Sequence, residues 1–241
     1  MLVIALCKGR FLSPSLDLLM RAGIRFPEDV PSSRKLIFNS EDQQFRLVLV
    51  KPADVPTYVE YGAADIGIAG RDVILESRAD VLQPLDLKFG YCKIAVAGIN
   101  GQASQNPLPL GEGSVRVSGV DETCDPHPAL CAALSQGERD SRPTIRVATK
   151  YPRIAMDHYN ARGIPVEIIP LSGSIELAPL IGLADRIVDL VETGRTLKDN
   201  GLEIVEVIAE SSARLLINRA GYQTKRDEVL QLIQALEKVI R

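Results

Sequence analysis

The chain opens on an unbroken apolar run, Leu2–Cys7, of the kind a strand shows when both of its faces are buried. Lys8, Gly9 and Arg10 end the run. Ser13 followed by Pro14 then offers a helix N-cap with proline at the first helical position, and Gly23 offers a stop. Residues 35–38 and 46–50 read as two further strands, the second fully apolar in Leu47, Val48, Leu49 and Val50. A short helix over 54–61 stops at Gly62, and residues 65–70 form a glycine-bearing strand that runs straight into a helix at Arg71 and Asp72. Alternation of this type predicts α/β architecture with mostly parallel sheets.

The second half repeats the alternation. Strands are expected over 92–97, 144–148, 166–170, 186–191, 203–209 and 214–218, with helices over 152–161 (closed by Gly163) and 174–181. The last segment places Val229, Ile233, Leu236 and Ile240 on one helical face. So many strands suit two sheets better than one. The expected division is residues 1–90 plus 219–241 as the first domain and 91–218 as the second. Within the second, residues 100–113 and 121–143 are rich in Gly, Pro, Ser, Asp and Glu without periodicity, and read as a loop-rich insertion at about 100–143.

Composition narrows the class. The 241 residues are 46% hydrophobic and 24% charged, ordinary for a globular protein and too apolar for a disordered one. A net charge of −3 leaves no electrostatic footprint for nucleic acid. No apolar run approaches the roughly 20 residues that span a bilayer. The N-terminus lacks the basic start, long apolar region and cleavage site of an export signal. Four sparse cysteines fit reduced thiols better than a disulfide framework, so the expected location is the cytoplasm.

Candidate chemistry concentrates at strand ends. Asp189, Leu190 and Val191 run into Glu192, Thr193, Gly194, Arg195, Thr196 and Leu197, a hydrophobic strand released into a loop with two hydroxyls, a glycine and a guanidinium. Such a loop either cradles a phosphate dianion with its N–H groups or forms an ordinary Thr-Gly turn. No Walker-type loop is present. Glu176, Asp185 and Asp189 set three carboxylates near this strand, able to bind ribose hydroxyls, hold Mg²⁺, or merely cap and solvate. Lys8, Gly9 and Arg10 follow the first buried strand, where α/β folds place ligands, and a cationic pair there suits a polyanion. Arg34 and Lys35 precede another strand with the same ambiguity. Cys124, His127 and Cys131 have a zinc-like spacing without a fourth ligand, and read as incidental. His158 sits on a helix without a nucleophile partner.

The stretch from Glu176 through Gly182, Ala184, Ile187, Asp189, Thr193, Gly194 and Thr196 to Leu197 closely resembles the signature of the ATP phosphoribosyltransferase family. Further matching stretches are residues 6–10, 33–38, 54–60, 64–72, 86–88 and 146–152. The resemblance implies a two-domain, periplasmic-binding-protein-like (type II) α/β architecture with the active site in the cleft between the domains. It implies transfer of the 5-phosphoribosyl group from phosphoribosyl pyrophosphate to N1 of ATP, with inversion at C1 and release of pyrophosphate, the first step of histidine biosynthesis. On the matching positions, Thr193, Gly194, Arg195, Thr196 and Leu197 would cradle the ribose 5-phosphate, and Glu176 and Asp189 would lie near the ribose hydroxyls. Arg10 and Arg34 would bind the polyphosphates and help pyrophosphate depart. Lys8, Gly9, Gly70, Arg71 and Asp72 would line the nucleotide side. Magnesium would come mainly bound to substrate, with no protein ligand assigned.

The signature lies near the end of the chain, which leaves no room for the C-terminal histidine-binding domain of the family's long form. Similarity to the short form implies a catalytic subunit that works with a separate regulatory protein resembling a histidyl-tRNA synthetase catalytic domain, and a homodimer on its own. Two rival classes stand beside this reading: a non-catalytic solute-binding protein of the same fold, which would normally carry an export signal and would not need a phosphate cradle plus two arginines, and a phosphoribosyltransferase for another base.

Overall fold

A computed structural model describes residues 1–99 and 144–240; the insertion at 100–143, with Cys124, His127 and Cys131, lies outside the described residues. The first half contains β1 (Leu2–Cys7), α1 (Leu12–Arg21), β2 (Ile37–Asn39), β3 (Phe45–Val50), α2 (Val55–Glu60), β4 (Ile66–Gly70), α3 (Arg71–Ser77) and β5 (Leu82–Asp86). Then come β6 (Cys92–Ile99), β7 (Ile145–Thr149), α4 (Pro152–Asn160), β8 (Val166–Pro170), α5 (Leu177–Leu180) and β9 (Arg186–Val191). The chain closes with α6 (Arg195–Asp199), β10 (Leu202–Ser211), β11 (Ala213–Ile217), α7 (Arg219–Thr224) and α8 (Arg226–Ile240).

Two sheets form, as the strand count predicts. One has six strands in the order β2-β3-β1-β4-β11-β5, the other five in the order β10-β6-β9-β7-β8. In the first, β1 pairs in parallel with β3 and β4, so their carboxyl ends lie side by side. The chain divides into two compact units: Met1–Val96, Asp189–Thr196 and Glu206–Arg241 in one, Ala97–Val188 and Leu197–Val205 in the other. This differs from the division expected from sequence, because β11 pairs antiparallel with β4 and β5 and so belongs to the first sheet.

Burial explains the central strands. Ile4, Leu6, Leu47, Leu49, Ile66 and Ile68 from β1, β3 and β4 share one core cluster with Leu18 and Leu19 of α1 and with Val229, Leu232 and Leu236 of α8. The apolar stripe of α8 thus centres on Val229, Leu232 and Leu236, with Ile233 and Ile240 at its margin. On the other face, Ala5, Val55, Val59 and Ala69 pack together. Gly67 is required at that contact, since a Cβ there would lie 2.7 Å from Val59 Cγ2 and 2.9 Å from Val55 Cγ1. Gly67→Ala is expected to destabilise the fold by about 1–3 kcal/mol through overpacking. Urea unfolding checks this, with a lowered midpoint at unchanged slope.

Several elements depart from the pattern reading. Helix α1 begins at Leu12 and not after Ser13, with Phe11 at the N-cap. The Leu12 N–H donates to the Gly9 carbonyl at 3.0 Å and the Ser15 N–H to the Phe11 carbonyl at 3.0 Å, so the chain is already coiling when it reaches Pro14. Strand β5, Leu-Gln-Pro-Leu-Asp, carries a proline and lies at the sheet edge, where a missing N–H is tolerated. Helices α6 and α7, of five and six residues, are too short to show a period. Among the described residues no helix is long and apolar enough to cross a membrane.

Candidate active site

The turn that follows β1 sets the first cationic groups. Gly9 has φ +108°, a conformation glycine adopts without a Cβ penalty, and it turns the chain from the strand into α1. The Lys8 N–H donates to the Val50 carbonyl at 3.4 Å, and the Lys8 ammonium donates to the Ser33 carbonyl at 3.4 Å. Ser33 precedes Arg34, whose side chain is exposed, so the segment bearing the second arginine is tied to the turn bearing the first.

Arg10 is held on three sides. Its Nη1 lies 3.2 Å from Glu192 Oε2, its Nη2 donates to Cys92 Sγ at 3.8 Å, and its guanidinium carbon stands 5.0 Å from the centroid of the Phe11 ring. Glu192 directly precedes Thr193. The ion pair therefore brings the turn after β1 to the loop after β9, two segments separated by more than half the sequence. Glu192 stands inside the signature stretch without a role read from sequence, and only the fold shows what it meets.

The loop itself follows β9. Gly194 has φ +72°, and a Cβ there would meet only Val191 Cγ1 at 3.8 Å, so the backbone conformation and not crowding selects glycine. Thr193 Oγ1 accepts from the Arg195 N–H at 3.4 Å. Thr193, Arg195 and Thr196 are exposed, whereas Leu197 is buried and anchors the first turn of α6. Thr193, Arg195 and Thr196 thus form the exposed part of the loop, and one of its N–H groups, that of Arg195, already bonds the Thr193 hydroxyl oxygen.

Gly70 ends β4 and is the N-cap of α3, so Arg71 and Asp72 open that helix. A Cβ at Gly70 would collide with the Asp72 carboxylate. The Arg71 N–H donates to the Ser212 carbonyl at 3.0 Å and its Nη1 to the Glu210 carbonyl at 3.3 Å. Asp72 is only 4% exposed, and its carboxylate accepts from the Ser211 hydroxyl at 2.8 Å while Ser211 Oγ accepts the Asp72 N–H at 3.0 Å. Its carboxylate therefore braces α3 against the end of β10, which is a scaffolding position.

The three carboxylates read near one strand take different places on their elements. Glu176 is the half-buried N-cap of α5, and Asp189 lies within β9 with its carboxylate accepting the Leu190 N–H at 2.8 Å. Asp185 precedes β9 at its opposite end. It receives the Arg146 N–H at 2.9 Å and pairs with the Arg146 guanidinium at 2.9 Å, and these bonds hold its carboxyl below the usual range. A carboxyl lowered in the folded state binds fewer protons there than in the unfolded chain. Its stabilising contribution is complete above the ordinary aspartate value of about 3.9 and is lost as pH falls below it. Asp185→Asn is expected to flatten the acid limb of the stability curve, checked by urea unfolding between roughly pH 6 and pH 3.

Cys7 and Cys92 are both buried, and burial pushes both thiols up, against the lowering influence of Arg10. They are poor nucleophiles. The described site thus offers cations, N–H donors and hydroxyls and no paired acid and base, which suits a reaction driven by positioning and charge stabilisation.

Comparison with known proteins agrees at both levels. In fold, the chain has the type II periplasmic-binding-protein-like α/β architecture; a protein solved with L-arginine bound, Tv2483, is similar in fold at 14% identity with a TM-score of 0.55, covering 98% of this chain and 84% of that one. At the level of family, the profile described as HisG, ATP phosphoribosyltransferase, matches residues 51–238. An ATP phosphoribosyltransferase of Syntrophotalea carbinolica is 45% identical over 236 residues, spanning 98% of this chain and 94% of the relative. One from Geobacillus sp. (strain WCH70) is 44% identical over 240 residues, spanning 100% and 99%. The ATP phosphoribosyl transferase of the HisG:HisZ complex from Thermotoga maritima superposes with a TM-score of 0.75 at 32% identity, covering 100% of this chain and 98% of that one. The chain belongs to the ATP phosphoribosyltransferase family. It is a transferase that joins the 5-phosphoribosyl group of phosphoribosyl pyrophosphate to N1 of ATP and opens histidine biosynthesis.

Proposed function

We propose that the residues described above divide the reaction as follows. The loop of Thr193, Gly194, Arg195 and Thr196 receives the ribose 5-phosphate, with the N–H of buried Leu197 completing the nest and not its side chain. Glu176 and Asp189 accept the ribose hydroxyls. Arg10 and Arg34 bind the pyrophosphate and take up charge as the C1–O bond breaks. Lys8, Gly9, Gly70 and Arg71 meet the nucleotide, with Asp72 bracing that side from beneath. As N1 of adenine attacks C1, the bonding electrons leave with pyrophosphate, so the largest charge develops at the two arginines. The single observation that supports this division best is the Arg10–Glu192 pair, which sets Arg10 beside the loop after β9.

Magnesium enters this reading with the substrate. Among the described residues no three His, Cys, Asp or Glu side chains gather into a metal-binding group. The ion would keep phosphate oxygens and water as its ligands, as magnesium commonly does in phosphate sites. Bound with the substrate it would supply charge neutralisation at the pyrophosphate, and Arg10 and Arg34 would orient that pyrophosphate.

Likeness to the Thermotoga maritima HisG:HisZ complex further supports a separate regulatory partner. Histidine should then inhibit only in the partner's presence. A ligand that binds the folded chain raises its melting temperature. The expected result is no histidine-dependent shift for the isolated chain, with histidine inhibition once the partner is added; a clear shift of the isolated chain would contradict regulation in trans.

A further inference from the structure

We propose that Phe11 is the positioning residue for Arg10, holding the guanidinium through its ring face, a contact that uses none of the N–H groups that would meet pyrophosphate. The inference rests on the reading of Arg10 given above. The Arg10 side chain is 48% exposed, and a guanidinium on so long a stem is rotationally free unless something fixes it. The Phe11 ring stands under it at 5.0 Å. An aromatic face attracts a cation without consuming any N–H donor. Glu192 and Cys92 are the contrasting partners. The carboxylate occupies Nη1 at 3.2 Å and the Cys92 sulfur Nη2 at 3.8 Å, and each must yield its donor when a phosphate arrives, whereas the ring need not move.

The ring is itself immobilised. Phe11 is 8% exposed and serves as the N-cap of α1 with an αR backbone, which fixes where its side chain leaves the helix. Phe89 packs edge-on at 5.8 Å with an interplanar angle of 75°. Gly90 has φ +67°, and a Cβ there would overlap Phe11 Cε1. From the side of β4, a Cβ at Gly70 would stand 3.3 Å from Phe11 Cε2. The ring is thus clamped between the end of β4 and the segment leading from β5 to β6, and two glycines make the space it fills. A rigid ring whose free face meets a cation at the substrate end is a means of presenting that cation.

The test is a double-mutant cycle on the full chain, with kcat, KM and melting temperature measured for each variant. Arg10→Ala comes first, and must lower kcat for the reading of Arg10 to hold; unchanged turnover sinks that reading, and this inference with it. Given that fall, Phe11→Leu in the otherwise native chain is expected to lower kcat about fivefold with KM changed less, on the scale of one partly desolvated cation–π contact. In the Arg10→Ala background the same Phe11→Leu change should lower kcat no further, although the melting temperature drops equally in both. Equal losses of kcat in both backgrounds would reduce Phe11 to a packing residue and overturn the proposal. Should Phe11→Leu fold poorly, a ring-fluorinated phenylalanine at position 11 keeps the volume and withdraws the negative face. It should again lower kcat several-fold, and wild-type turnover would overturn the proposal.

Discussion

Gly194→Val is expected to abolish detectable binding of phosphoribosyl pyrophosphate while the protein stays folded and still binds ATP. Gly194 sits at φ +72° with nothing but Val191 Cγ1 near its would-be Cβ, so the penalty on valine is one of backbone conformation. A β-branched residue in that region is a genuine outlier, and the loop must change its path to accept it. A dianion held by several N–H groups and hydroxyls depends on all of them pointing inward at once. Loss of the nest should therefore weaken binding by more than about 10²-fold, since each bond to a charged group carries about 1.5–3 kcal/mol. Thr196→Ala removes one such bond and should cost only that single increment. Thr193, Arg195 and Thr196 are exposed and Gly194 is only half-buried, so the fold should survive both changes. Calorimetric titration with each substrate separates the outcomes. Normal binding of phosphoribosyl pyrophosphate by Gly194→Val would make the loop an ordinary turn.

Arg10→Ala and Arg34→Ala are each expected to lower turnover by roughly 10²-fold or more, the scale of losing one preorganised electrostatic donor. Both charges matter more as pyrophosphate departs than in the ground state, so kcat should fall further than affinity. Lysine should rescue only in part, because it lacks the planar fork that grips two phosphate oxygens. The two positions differ in their restraint. Arg10 is held by Phe11, Glu192 and Cys92, whereas Arg34 is exposed on a segment tied down through Ser33 and Lys8. Steady-state kinetics on the purified variants checks both. Unchanged turnover in either would return that arginine to the solvated surface.

How far the sequence could be read followed from how much of each signal is local. Strands β1 and β4 are continuous apolar runs because both faces are covered, and such runs are visible without any neighbour. Strand β5 carries a proline that only its edge position excuses, and an edge is a property of the sheet. The start of α1 misled in the same way: Ser13 and Pro14 have the chemistry of a helix start, but the Gly9 carbonyl has already captured the Leu12 N–H. At the site, the turn after β1 and the loop after β9 could be named from residue types and family resemblance. Their meeting through Arg10 and Glu192 could not, because it joins residues 182 positions apart. Asp185 shows the converse. As a carboxylate near the signature it suggested chemistry, and the fold gives it to Arg146 at the far end of β9.

The cradle of the 5-phosphate is the claim on which the assignment of roles turns, and a crystal structure of the chain with phosphoribosyl pyrophosphate tests it most directly. The expected result places the 5-phosphate oxygens within hydrogen-bonding distance of the backbone N–H groups of residues 194–197 and of the Thr193 and Thr196 hydroxyls, with the pyrophosphate reaching the Arg10 guanidinium. A 5-phosphate bound away from this loop, with residues 193–197 unengaged, would contradict the account.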